Sequence, residues 1–169
     1  MTIRIRAEIE SDRDAIRHVN EQAFGGPAEA TLVDAIRDGE FAEVSLVAEV
    51  SGAIVGHILL SRVIILSEGR AIEALSLAPM AVLPEHQRQG IGSLLVSEAI
   101  KVCRERGEQA ILVLGHPDYY PRFGFSAKLA ESIESPFGGG EAWMALELVP
   151  GALTGIRGRV EFSPPFNAL

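Results

Sequence analysis

The sequence holds a single cysteine, Cys103, among 169 residues. One thiol cannot close an internal disulfide, which agrees with a reducing, cytoplasmic setting. No stretch reaches the ~18 consecutive apolar residues of a membrane span. The opening MTIRIRAEIE is interrupted by charge every second residue, where a signal peptide needs an unbroken apolar core. The expectation is a chain with no membrane partner. Basic residues are outnumbered, 15 Lys and Arg against 23 Asp and Glu, for a formal charge of −8. Nucleic acid is a poor match for that balance, because affinity for phosphate backbones comes largely from clustered cations. A small local anion site stays allowed. The four histidines are scattered without metal-ligand spacing, so no metal is expected.

What is present suits one domain over residues 1–169, with 47% hydrophobic and 22% charged residues. TIRIRAEI alternates at Ile3, Ile5, Ala7 and Ile9, the period of a strand covered on one face. Ser11 and Asp14 stand at capping-box spacing ahead of a helical run through Ile16, Val19, Asn20 and Ala23. Gly25, Gly26 and Pro27 end it, and a second helix follows with Gly39 at its C-terminal cap. VSLVAEVSGAIVGHILLSRVII reads as a hairpin around Ser51 and Gly52. AIEALSLAPMAVL is a third extended run, in which Pro79 breaks the ladder or marks a bulge.

Ile91, Leu94, Leu95, Ala99 and Val102 then recur at helical spacing as far as Gly107, and ILVLG is a short strand buried on both faces. HPDYYPRFGF is too broken by Pro121 and Gly124 for a long helix. EAWMALEL is a last strand alternating at Ala142, Met144, Leu146 and Leu148. From Pro150 onward no element is assigned, and that stretch reads as a trailing surface segment rather than a lid. The order of elements implies a mixed sheet with helices packed on it.

Between the third extended run and the following helix lies LPEHQRQGIGSLL. Two glycines just before a helix start place free backbone N–H groups where the helix dipole is positive, which makes an anion site suited to phosphate. Arg88 adds a cation at its rim. A Walker loop needs GxxxxGK[ST], and no glycine here is followed by Lys and then Ser or Thr. A dinucleotide fingerprint needs a third glycine where Leu95 stands, and it wants its first glycine at a strand end, whereas Pro84 to Gln89 intervene. Glycines that merely permit a tight turn remain the plain alternative.

Gln87, Gly90 and Gly92, preceded by PMAVLP, resemble the coenzyme A signature of the GNAT superfamily of N-acetyltransferases, [Q/R]xxGx[G/A]. Downstream, Tyr120 followed by Gly124 and Phe125 matches the Tyr-x-x-x-Gly-Phe segment that follows the fifth strand in that superfamily. The resemblance covers residues 3–148, leaving 149–169 as a C-terminal extension, and the wording LAPMAVLPEHQRQGIG with LVLGHPDYYPRFGF looks like the YhbS-type group of predicted acetyltransferases. It implies an α/β (α+β) fold with a mixed, mostly antiparallel central sheet and helices on both faces. It also implies acetyl-CoA as cofactor, with the backbone of Met80, Ala81 and Val82 along the pantetheine arm. The pyrophosphate would lie on Gln87, Arg88, Gln89, Gly90, Ile91, Gly92 and Ser93. Many members place an Asn after the fifth strand, where this chain has Gly115, His116 and Pro117.

Acetyl transfer to an amine needs a neutral amine, a stabilised oxyanion and a proton for the departing thiolate. Tyr120 is the candidate general acid, with Tyr119 the neighbour able to take either part. Glu73 and His116 are the candidate bases, and an α-amino acceptor could need only water. His86 is expected to be exposed in the loop, and Cys103 and Trp143 to be core. The acceptor is a small-molecule or peptide amine of unspecified identity, and a homodimer is left open. The alternative is a noncatalytic acyl-CoA sensor or interaction module.

Overall fold

Alternating apolar residues at the start of the chain form β1 (Ile3–Ala7), paired antiparallel with β2 (Ala42–Val50) from Ile3 against Val50 to Ala7 against Leu46. Between them lie α1 (Arg13–Phe24) and α2 (Ala28–Asp38). The chain continues through β3 (Ala53–Ser67), β4 (Arg70–Val82), α3 (Ile91–Glu105), β5 (Ala110–Leu114), α4 (Ala127–Ala130), β6 (Ile133–Glu134), β7 (Trp143–Glu147) and β8 (Gly158–Glu161). This is a computed structural model, and it describes residues 2–168. The sheet is eight-stranded in the order β1-β2-β3-β4-β5-β7, with β8 beside β3 and β6 beside β8. The β4–β5 and β6–β8 pairings are parallel. Among the described residues no helix is long and apolar enough to cross a membrane. By its contacts the chain forms two compact units, residues 1–60 with 78–102, and residues 61–77 with 103–169.

In the first unit a polar layer ties α1 and α2 to the strands. Asp12, not Ser11, closes the entry to α1: its carboxylate accepts the Ile9 N–H at 2.7 Å and a two-pronged ion pair from Arg6 at 2.7 and 3.0 Å, while Ser11 is exposed. The expected capping box at Ser11 and Asp14 is therefore displaced, because a buried aspartate held by a guanidinium outcompetes an exposed hydroxyl.

His57 on β3 is fully buried, with Nε2 at 2.9 Å from Ser45 Oγ and Nδ1 at 3.3 Å from Asn20 Nδ2. The Ser45 hydroxyl donates to Glu8, so it can only accept from His57, which fixes the neutral tautomer protonated on Nε2. Burial pushes the Glu8 carboxyl upward, but the Arg37 fork at 2.9 and 3.1 Å and the Ser45 hydroxyl more than reverse this and hold it low. Burial drives the His57 pKa down to about 4, against a partial lift from Glu8.

The second unit has its own apolar core, in which Val63, Ile65, Ala110, Leu112, Trp143 and Ala145 pack with Ile133, Leu153, Ile156 and Val160. β7 is buried on both faces from Trp143 to Leu146, not on alternate residues as its polar punctuation suggested, because β5 flanks it and α4 covers it. Residues beyond Pro150 are no trailing segment. Glu147 accepts the Leu153 N–H at 2.8 Å, Ser132 donates to Ile156 O at 2.7 Å, and β8 pairs with β3 from Ile64 against Glu161 to Leu66 against Arg159. A side chain at Gly158 would overlap the Leu66 backbone, so this close approach requires glycine.

Two measurements check these assignments. Ile156→Ala should cost about 2–5 kcal/mol in urea denaturation, as a buried core truncation does, whereas a loss within about 0.5 kcal/mol would return the tail to the surface. His57 titrates near 6.5 when unfolded and at about 4 when folded, so between those values the unfolded chain holds the extra proton. Stability should fall as pH drops through that window, by up to about 3 kcal/mol, and level off above it. His57→Gln should flatten that part of the curve, and an unchanged slope would rule out His57 as its source.

Candidate active site

The first unit carries the glycine loop. At the end of β4 the Leu83 N–H donates to Val55 O at 2.8 Å, and a short 3-10 turn over Pro84–His86 follows. Gln87 then lays its side chain back onto the strand, its Nε2 donating to Val82 O at 2.9 Å. The glutamine of the motif is thus a structural tie between loop and strand. Arg88 at φ 63° and Gly90 at φ 84° both take the left-handed conformation on either side of Gln89. Successive amides in such a turn converge on one side and form an anion-binding concavity. No atom lies within 4 Å of a Cβ added at Gly90, so the loop faces open space there.

α3 starts immediately after, its first turn closed by Leu94 N–H to Gly90 O at 3.1 Å, and the Ile91 and Gly92 amides stand at the helix start, where no turn lies beneath them to accept. Gly92 lies inside that first turn, so the two glycines serve different ends. Gly56 on β3 sets the seat of the helix: an added Cβ would meet Ile91 at 3.2 Å, Leu95 at 3.1 Å and Ala48 at 3.3 Å. Met80 and Val82 are half-buried and Ala81 is buried, so their side chains pack while their backbone lies on the last stretch of β4. His86 is half-buried rather than exposed, and its Nδ1 is out of solvent with no partner among the described residues.

The second unit carries the other candidates. β4 pairs with β5 at Leu75–Ile111 and Ser76–Leu112, and β5 runs on against β7 to Leu114 paired with Trp143. Gly115 follows, its N–H donating to Ala142 O at 2.9 Å. Any Cβ there would overlap the Tyr120 ring, so glycine is what lets the tyrosine close against the strand end. His116 is exposed, and its carbonyl accepts the Tyr119 and Tyr120 amides at 3.1 and 3.3 Å, which starts the turn carrying Tyr120. Tyr120 is buried between the edges of Tyr119 and Phe125, at ring distances of 5.1 and 5.6 Å. Burial, helped by Tyr119, raises its pKa to about 12. Its hydroxyl has no hydrogen-bond partner among the described residues.

Glu73 stands exposed on β4, and among the described residues nothing gathers it with Tyr120 or His116 into a hydrogen-bonded set. Cys103 is buried, and burial pushes its thiol up to about 11, which removes it as a nucleophile at neutral pH. Among the described residues no group of three or more His, Cys, Asp or Glu could hold a metal ion.

A model of the Acetyltransferase (GNAT) family matches residues 13–125. The chain is 33% identical over 165 residues to Uncharacterized N-acetyltransferase YhbS of Escherichia coli K12, covering 96% of this chain and 98% of that one. It is 43% identical over 117 residues to Uncharacterized N-acetyltransferase YjhQ of the same organism, which is 68% of this chain but only 65% of YjhQ, just under two thirds of that relative's length. The crystal structure of YhbS from Escherichia coli in complex with CoA superposes with a TM-score of 0.90 at 32% identity, over 98% of this chain and 92% of that one. A Brucella melitensis GNAT family acetyltransferase in complex with acetyl-CoA gives 0.82 at 32% identity over 98% of both chains.

The loop geometry has a direct check. Because open space surrounds Gly90, its replacement by alanine meets no steric barrier and bears only the left-handed cost, about 1–2 kcal/mol. Gly90→Asn should recover part of that in denaturation, whereas equal stability of Gly90→Ala and the parent would mean the residue is not left-handed.

Proposed function

The chain belongs to the acetyltransferase (GNAT) family, and from that membership we propose that it binds acetyl-CoA and moves the acetyl group directly to a primary amine. The observation that carries the reading is the loop itself, with left-handed Arg88 and Gly90 leading into α3 after a strand tied back by Gln87. Those residues fit a pyrophosphate: the amides from Arg88 to Ser93 supply donors, the helix start supplies positive potential, and Arg88 supplies an exposed cation. Met80, Ala81 and Val82 would pair with the pantetheine amides. The Val82 carbonyl is already engaged by Gln87, which leaves the backbone of Met80 and Ala81 as the principal contacts.

Acetyl-CoA, when bound, supplies an activated thioester whose carbonyl carbon accepts an amine nitrogen. Tyr120 keeps its proton on the hydroxyl oxygen at any physiological pH, since its pKa is raised to about 12, so it serves as an acid that gives a proton to the departing sulfur. The same shift excludes it as the base. Glu73 and His116, both in solvent, are the candidates for removing the ammonium proton, with water sufficient for an α-amine. The burial of Cys103, the one thiol, with its proton held supports direct transfer over passage through an acyl-cysteine.

Tyr120→Phe should lower kcat for acetyl transfer by about 100-fold, the low end for a general acid, while CoA and acetyl-CoA raise the melting temperature of parent and variant alike. Loss on Tyr119→Phe with Tyr120→Phe silent would move the role to the neighbour. Equal trace activity in parent and variant, with cofactor stabilisation intact, would favour an acyl-CoA-binding sensor. No stabilisation by either CoA species at millimolar concentration would remove the cofactor assignment.

A further inference from the structure

Within the second unit, three glycines in a row at residues 138–140 leave the loop between β6 and β7 with little of its own to hold it. Gly138 and Gly140 take positive φ of 141° and 70°, and no atom lies within 4 Å of a Cβ added at Gly139 or Gly140. Among the described residues the Gly138 and Gly139 amides make no hydrogen bond. Glycine loses more backbone freedom on ordering than any other residue. Order in this loop therefore has to come from its two ends.

At the first end Phe137 stacks edge-on against Phe162 at 4.9 Å and lies 6.3 Å from Phe166, and those two rings are 5.2 Å apart. Phe166 is only 2% exposed and its N–H donates to Ser163 O at 3.1 Å, so the residues after β8 form a fixed aromatic seat. At the second end a 3-10 turn over Gly140–Ala142, closed by the Trp143 N–H on Gly140 O, runs into β7. Ala142 O accepts the Gly115 N–H at 2.9 Å, and a Cβ on Gly115 would overlap the Tyr120 ring. Between the ends Gly138 lies along Leu114, where an added Cβ would stand 3.8 Å from the leucine side chain. The loop thus meets the strand end that seats the tyrosine at two neighbouring residues.

We propose that Phe137, with Phe162 and Phe166 behind it, is a positioning residue for the general acid: it holds the glycine loop against Leu114 and Gly115 and so fixes the Tyr120 ring at the strand end. The inference rests on the acetyltransferase reading, from which Tyr120 takes its role. A proton donor has to be kept within about 0.5 Å of its productive place. The Tyr120 hydroxyl has no hydrogen-bond partner among the described residues, so that place is set by packing alone. The packing consists of the edges of Tyr119 and Phe125 and the bare backbone of Gly115. Of these, the Gly115 contact is the one the loop supports. Phe137 acts through it and touches no reacting atom.

The chain has two tyrosines, Tyr119 and Tyr120, so the full-length protein labelled with 3-fluorotyrosine gives two fluorine resonances, and Tyr120→Phe assigns them. Phe137 is half-buried, and Phe137→Ala should keep a cooperative melting transition and its stabilisation by CoA. Well below that transition the Tyr120 resonance should shift or broaden in Phe137→Ala, and Phe137→Leu, which keeps an apolar anchor, should restore most of it. Phe166→Leu reads the same effect from the far side of the trio if Phe137→Ala does not fold. With acetyl-CoA and leucinamide, spermidine or tyramine, followed by thiol release, Phe137→Ala should lower kcat about tenfold and leave KM for acetyl-CoA within about twofold. In a Tyr120→Phe background it should cost nothing further. A Tyr120 resonance that stays in place would overturn the inference, whatever the activity. So would equal losses of kcat in the parent and Tyr120→Phe backgrounds, which would leave the acetyltransferase reading standing. Failure of CoA to stabilise the parent would instead remove the reading beneath it.

Discussion

The parallel strands β4 and β5 are joined at two register positions, Leu75 with Ile111 and Ser76 with Leu112. Beyond them β5 advances against β7, and β4 has to satisfy its backbone by other means. Buried backbone donors and acceptors cannot be left without partners at low cost. The chain supplies some of them locally, with Val55 O for the Leu83 amide and the Gln87 side chain for the Val82 carbonyl. Under the proposed function an amide-bearing ligand arm supplies others. Within the first unit, Gln87 thus serves the strand end and the glycine loop at once, tying one to the other ahead of α3.

A second constraint acts at the junction of Leu114 and Gly115. The strand end must meet β7 on one side and an aromatic ring on the other, and a residue with no side chain is what fits. Gly115 leaves the room in which the Tyr120 ring sits buried, and that burial, with Tyr119 beside it, raises the hydroxyl's pKa. Residues far along the chain bear on the same place, because β8 and the phenylalanines after Glu161 hold Phe137 and with it the loop leading back to Ala142. The chain's final segment is thus part of the machinery of the second unit.

Much of this was legible beforehand wherever local chemistry decides local structure. Alternation at Ile3, Ile5 and Ala7 gave β1, helical spacing from Ile91 gave α3, and the polar residues with two glycines before it gave the turn in which Gly90 is left-handed. The rest depends on partners distant in sequence. β8 exists because Val160 finds Ile65, and α4 and β6, at four and two residues, are too short for any periodicity to register. Asp12 displaced Ser11 through Arg6, and His57 lost its charge through burial, with Arg37 adding to the effect, none of which a one-dimensional pattern displays. The stretch around 138–140 was opaque for a related reason: three consecutive glycines read simply as loop, while the order there comes from Phe137 against Phe162.

Cys103 has one more implication. A protein that handles a thioester beside its own thiols risks exchanging the acyl group onto itself, and it also clouds any reagent used to count free sulfhydryls. Here the sole thiol is enclosed in the folded chain with its proton firmly held. The native protein is thereby shielded from self-acylation at that atom, and while folded it should stay nearly invisible to thiol-specific dyes, so under the proposed function any colour that develops with acetyl-CoA and an amine belongs to released CoA.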